Sequence, residues 1–157
     1  MSKLRAAKMR IKDLISSDRG ASLVEFAVVA PVLIFLAIGL IEVGRYTTFA
    51  ITAANAARAG AQYGAQNLTT ALDNTGVQAA ALRDAQNNPN FSAPTLTHLC
   101  SVGGGALQTC PSGTVPANTV YYVKVQVNGK FKSLLSYPGL PPSINVNGSI
   151  VMRVAGQ

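Results

Sequence analysis

One stretch decides the fold of this chain. Residues 26–41 read FAVVAPVLIFLAIGLI, contain no charged or strongly polar side chain, and are bounded by a glutamate at each end. Extended to residues 21–44, the segment is long enough for a helix that crosses about 30 Å of hydrocarbon. A chain of 157 residues cannot readily enclose a helix that is apolar on every side. We therefore predict a membrane-spanning helix with its span at about residues 23–43.

The composition of the whole chain disfavours an enzyme. Hydrophobic residues make up 48% and charged residues 12%, with one histidine, two cysteines and six acidic side chains. This inventory is thin for acid–base, metal or nucleophilic chemistry, so we expect no catalytic residues, no bound metal and no cofactor. The length fits one modest domain plus one extra segment.

The net charge of +7 is concentrated at the N-terminus. The first twenty residues hold six of the thirteen lysines and arginines against two aspartates. A basic segment before an apolar run typically keeps its end of the helix in the cytoplasm. We therefore predict that residues beyond Val43 are exported and that nucleic acid is not a partner. Lys124, Lys130 and Lys132 are better explained as protection of an edge strand than as a DNA site.

The residues that flank the apolar run argue against a cleavable secretory signal. The residues after it, IEVGR at 41–45, offer no pair of small residues for signal peptidase. The informative pattern lies before it, where RGASLVEF places Gly20 five residues ahead of Glu25. A carboxylate at the edge of a membrane segment costs a few kcal/mol if it stays unpaired. Glu25 therefore needs a cationic partner.

These residues resemble the prepilin-like proteins of type IV filament systems, whose leader is cut after a glycine and whose mature helix carries glutamate as its fifth residue. The wider stretch at residues 19–65, RGASLVEFAVVAPVLIFLAIGLIEVGRYTTFAITAANAARAGAQYGA, is similar to the TadE-like pseudopilins of the tight-adherence (Flp, type IVb) pilus machinery. The ending VMRVAG at residues 151–156 also resembles that family.

The resemblance implies processing and assembly. A membrane prepilin peptidase would cut between Gly20 and Ala21 and so remove a basic leader, residues 1–20, with Glu25 and Phe26 in the recognition motif. Glu25 would then face the new α-amino group of Ala21 on a neighbouring subunit. The implied partners are the peptidase, other pilin or pseudopilin subunits and the inner-membrane assembly platform. The implied location is the bacterial inner membrane, with or without incorporation into a pilus.

Beyond the membrane the helix continues, because no stop signal appears before about Gln66. Small and aromatic residues recur there at spacings of three and four, with polar residues on the opposite side. The sequence therefore predicts one spine helix over residues 21–66. Ala53, Ala57 and Ala61 form a small-residue stripe that we expect on its exposed half, where another backbone could approach closely.

Residues 67–157 are expected to form an exported α+β domain. A second helix is predicted near 75–87, begun by a Thr75–Gln78 capping box. Two strands joined by an Asn128–Gly129 turn and a last strand over 144–154 follow from alternating apolar residues, whereas 88–119 reads as loop with one short strand around Cys100. The expected fold is pilin-like, with a long N-terminal membrane helix packed against a small antiparallel sheet.

The two cysteines fit an exported domain. Cys100 and Cys110 lie in a loop rich in Gly, Ser and Thr, and we predict a disulfide between them. His98 is close to Cys100, but no third orienting group accompanies them, so we assign no nucleophile there.

Three functions are compatible with the sequence. The favoured one is a minor pilin or pseudopilin that helps to assemble or anchor an adhesive Tad/Flp pilus. The first alternative is an uncleaved single-pass membrane protein whose exported domain binds an envelope partner or ligand. The second is an exported enzyme, which the scarce ionisable side chains hardly support.

Overall fold

The computed structural model describes residues 18–110, 117–134 and 141–156. Its elements, in chain order, are helices α1 (Asp18–Gly64), α2 (Leu68–Leu72) and α3 (Asn74–Asp84), followed by strands β1 (Thr95–Val102), β2 (Gln108–Thr109), β3 (Thr119–Lys132) and β4 (Ser143–Arg153). The predicted α+β layout of a long N-terminal helix and a small antiparallel sheet is confirmed. The chain divides into two units after Val43.

In the first unit, α1 presents large apolar side chains outward. Phe26 is 67% exposed and Leu40 is 74% exposed, and Pro31 lies within the helix. The most apolar window of α1 has a mean hydropathy of 2.6, and none of it is buried. The helix is therefore long and apolar enough to cross a membrane.

In the second unit, the remainder of α1 packs against one face of the sheet through small residues. Ala53, Ala57 and Ala61 are fully buried in the core, together with Val125 of β3. A side chain at Gly148 of β4 would collide with the backbone of Ala53. The expectation that this alanine stripe is exposed is therefore wrong. Its small side chains bring the backbone of α1 close to the sheet of the same chain.

The sheet has the strand order β2-β1-β3-β4, and every pairing is antiparallel. The last strand was predicted within a residue or two of its bounds. Residues 88–119 contain more structure than expected, because β1 has eight residues and β2 two. Since β3 lies between β1 and β4 at Lys124, that residue does not protect an edge strand, and the explanation is wrong for it. Lys130 and Lys132 lie beyond Gln126, the last residue of β3 that pairs with β1, and for them the explanation stays a prediction.

The predicted turn at Asn128–Gly129 is also wrong. Strand β3 continues through both residues and pairs them with Asn147 and Val146 of β4. Neither residue has the positive φ that a tight hairpin turn of this kind requires. Gly129 serves close packing instead, because a Cβ there would lie 2.6 Å from the ring of Phe91.

The short helices are fixed by caps that differ from the prediction. Asp73, not Thr75, caps α3 by accepting a hydrogen bond from the Gly76 backbone N–H at 2.9 Å. Gln78 does not close a capping box but donates to the Pro94 carbonyl at 3.1 Å. The predicted second helix is present, and α2, capped by Asn67, precedes it.

Candidate functional site

The motif that carries the functional prediction lies at the start of α1. Gly20, Ala21, Glu25 and Phe26 all lie in this helix, and Glu25 is exposed one turn after Ala21. Residues 1–17 of the predicted leader lie outside the described residues. The Gly20–Ala21 peptide bond therefore lies within α1.

The motif lies at the start of the apolar surface of the first unit. From Leu23 to Val43 every Leu, Val and Phe side chain is exposed, and Glu25 is the acidic group nearest the start of this surface. In hydrocarbon, an exposed carboxylate requires a cation or a proton, whereas the apolar side chains require neither. The arrangement can therefore insert into lipid and pair one charge at the edge of the inserted segment.

Comparison with known families finds a similarity that falls in this region. Residues 20–62 match the family model described as TadE-like protein. This segment is TadE-like. No curated protein and no solved structure matches the chain.

The TadE-like segment begins at Gly20, the last residue of the predicted leader. It stops two residues before α1 ends. It contains Glu25 and Phe26 and the small residues that pack on the sheet. The short helices, the sheet and both cysteines lie beyond it. The family match therefore covers the apolar helix and its motif, and the chemistry of the sheet is inferred from its own geometry.

The predicted disulfide between Cys100 and Cys110 is present. Cys100 is buried on β1, and the Cys110 backbone N–H donates to the His98 carbonyl at 3.2 Å. The bond therefore closes the β1–β2 hairpin at the side of the sheet where β2 is only two residues long.

His98 contacts the protein backbone. Its Nε2 atom lies 2.8 Å from the Ala71 carbonyl oxygen of α2, so it joins β1 to that helix. In the described residues no three of the His, Cys, Asp and Glu side chains lie close enough together to hold a metal ion.

A hydrogen-bonded pair that the sequence analysis missed joins α1 to the start of α3. The Tyr63 hydroxyl donates to Asp73 Oδ2 at 2.9 Å. The hydrogen bond from the Gly76 backbone, followed by that from Tyr63, lowers the pKa of Asp73. The hydrogen bond to Asp73 raises the pKa of Tyr63. A usable signal was present, since an aspartate three residues before a glycine can cap a helix.

The sheet also borders two concave surfaces. A groove of about 400 Å³ has a largely apolar lining that includes Leu68, Leu72 and Leu96. A smaller pocket of about 300 Å³ has a polar lining that includes Asn128, Asn145 and Asn147. The analysis of the sequence missed both, because residues from separate strands form them.

Proposed function

We propose that this protein is a minor pilin or pseudopilin of a tight-adherence pilus system. The observation that carries the proposal is the match of residues 20–62 to the TadE-like family, with Gly20 and Glu25 at the head of an exposed apolar helix. The protein would help to assemble or anchor an adhesive pilus through helix packing rather than catalysis.

The orientation in the proposal rests on charge and on redox chemistry. The basic residues at the start of the chain hold the N-terminus in the cytoplasm, and the second unit lies outside the bacterial inner membrane. The Cys100–Cys110 disulfide supports this orientation, because such bonds persist in oxidising compartments.

In this proposal a prepilin peptidase cuts the Gly20–Ala21 bond. A protease binds its substrate in an extended form, so α1 must unwind around Gly20 before cleavage. Gly20 lacks a Cβ and lets the enzyme approach the backbone.

Assembly follows from the new terminus. Cleavage leaves an ammonium group on Ala21, and Glu25 of a neighbouring pilin subunit neutralises it at the membrane edge. The partners are then the peptidase, other pilin or pseudopilin subunits and the inner-membrane assembly platform.

A second candidate is an uncleaved single-pass membrane protein whose exported domain binds an envelope partner. It is favoured by one observation, the continuity of α1 across the Gly20–Ala21 bond.

Intact-mass measurement of the membrane-extracted protein separates the two candidates. We expect the mass of a chain that begins at Ala21 in cells with an active prepilin peptidase, and the full-length mass when the peptidase is deleted. A Gly20→Leu variant should stay full-length in both strains, whereas a Gly39→Leu variant, altered inside the apolar run, should be processed. Full-length protein in cells with active peptidase would favour the uncleaved membrane protein.

A further inference from the structure

The outer face of the sheet, opposite α1, carries a polar pocket made only from residues beyond the TadE-like segment. The pocket has a volume of about 300 Å³. Its polar lining consists of Ser92, Asn128, Lys130, Asn145 and Asn147. Among its lining residues are three side-chain amides, one hydroxyl and one ammonium group, and no carboxylate.

Strand register brings these side chains together. Asn128 of β3 lies directly opposite Asn147 of β4, and Lys130 lies opposite Asn145. Residues two apart on a strand share a face, so these four side chains form a square on the outer side of the sheet. The Ser92 backbone N–H donates to the Asn128 carbonyl at 2.8 Å and places Ser92 beside them.

One of the amides is oriented by a neighbour. Gln126 Nε2 donates to Asn128 Oδ1 at 3.1 Å. This bond uses the acceptor of the Asn128 amide and leaves its two N–H donors for another acceptor. Lys130 adds three donors, so the pocket favours a ligand rich in acceptor oxygens.

The charge of the surrounding face has one sign. The outward positions of β1, β3 and β4 carry four cationic side chains and no acidic one. The cations are Lys124, Lys130, Lys132 and Arg153. In the described part of the second unit the acidic residues are Asp73 and Asp84, at the two ends of α3. The outer face therefore attracts anions without competition from its own carboxylates.

We propose that this pocket binds an anionic polysaccharide, a sugar polymer whose residues carry carboxylates. Side-chain amides and hydroxyls match the paired donors and acceptors of sugar hydroxyls, and the lysines match the carboxylates. Lipid and apolar peptide are disfavoured because they would leave the three amides and the ammonium group of the lining without hydrogen-bond partners. Single-stranded nucleic acid is disfavoured because Tyr122 is the one aromatic residue at the outward positions of the described strands. The inference goes beyond pilus assembly and does not depend on it.

The test uses the full chain in nanodiscs of phosphatidylcholine, titrated with polygalacturonate, neutral dextran and double-stranded DNA. The variants are Lys130→Glu and Asn147→Ala. The matched control is Arg58→Glu, which changes the net charge as much as Lys130→Glu does but lies on an exposed position of α1, across the sheet. Circular dichroism checks that each variant folds. If Lys130→Glu does not fold, Asn147→Ala still tests the pocket, because the Asn147 side chain is exposed.

We expect polygalacturonate to bind, and to bind more weakly as salt is added. Lys130→Glu should weaken binding about tenfold or more, and Asn147→Ala about threefold or more. Arg58→Glu should stay within about twofold of the unaltered protein. The proposal is overturned if no polymer binds, if dextran or DNA binds as tightly as polygalacturonate, or if Arg58→Glu matches Lys130→Glu.

Discussion

Helix α1 uses its residues in opposite ways in the two units of the chain. In the first unit its large side chains, such as Phe26 and Leu40, are exposed, whereas in the second unit its small ones, such as Ala57, are fully buried. A soluble helix would bury large residues and expose small ones or polar ones. The difference teaches that the size of the apolar residues on this helix matches what packs against them. In the second unit small residues pack against a folded sheet. In the first unit, in our proposal, large residues face lipid or another subunit.

The largest effect is expected at the charged end of the first unit. Replacing Glu25 with Gln removes a carboxylate but keeps its volume, so insertion and processing should persist. Incorporation into pili should fail, because the Ala21 ammonium of a neighbour loses its partner. Sheared filaments and membranes, probed with an antibody to the second unit, measure this incorporation. Glu42→Gln is the control at the other end of the apolar run. Normal incorporation of Glu25→Gln would show that Glu25 has no assembly role.

Substitution of two glycines of α1 by leucine tests the comparison most directly. A Cβ at Gly60 would lie 3.1 Å from the Val77 carbonyl oxygen, whereas a Cβ at Gly39 would meet nothing within 4 Å. We expect Gly60→Leu to destabilise the second unit by about 3 kcal/mol through overpacking, and Gly39→Leu to leave its stability unchanged. Denaturant unfolding of the full chain in micelles, followed by tyrosine fluorescence, gives both values. Equal unfolding midpoints for the two variants would contradict the expected difference in stability.

The disulfide gives the next effect. Reducing Cys100–Cys110, or replacing both residues with Ser, releases a loop with a sequence separation of 10. We expect a loss of somewhat under 3 kcal/mol from chain entropy. The same unfolding measurement applies, and a Ser92→Ala variant of the outer face serves as a control. Two thiols that alkylate freely in denatured, unreduced protein would argue against the bond.

The smallest effect concerns the Tyr63–Asp73 pair. Because the pKa of Asp73 is lowered in the folded chain, its contribution to stability is present above its ordinary value of about 4 and is lost as the pH falls through the lowered pKa. Because the pKa of Tyr63 is raised, its contribution is present below about 10 and is lost as the pH rises through the raised pKa. Asp73→Asn should therefore lower the melting temperature most at neutral pH and least in acid. Equal losses of melting temperature at neutral and acid pH would contradict this expectation.

The features that the sequence predicted correctly are those with a local or periodic signal. Spine helix 21–66 agrees with α1 to within three residues at each end, and the strand at 144–154 agrees with β4. The disulfide followed from the presence of two cysteines in a domain that the sequence predicts to be exported. The TadE-like motif was readable because its residues are close in sequence.

The cap at Asp73 was missed although its signal is local, but the other errors share one cause, which is that distant residues decided the outcome. The dipeptide Asn128–Gly129 favours a turn locally, but the ring of Phe91 occupies the space that Gly129 leaves, and β3 runs on. The stripe through Ala57 correctly predicted that another backbone approaches α1 closely. The helix sequence alone does not indicate that this backbone belongs to the sheet of the same chain. Predicting the pocket on the outer face would have required the register of β3 against β4, and no local sequence pattern gives that register.

The contact of Gly148 with the backbone of Ala53 also sets the order in which the second unit can form. Strand β4 is synthesised after every other element, yet it packs on α1, which is synthesised first. The Ala155 backbone N–H then donates to the Ala65 carbonyl at 2.8 Å. Contacts between such distant parts of a chain form slowly, because a long loop must close before they stabilise anything. Until β4 arrives, the small-residue surface of α1 has no complete cover, so the newly made chain passes through an interval in which a chaperone or another subunit could bind that surface.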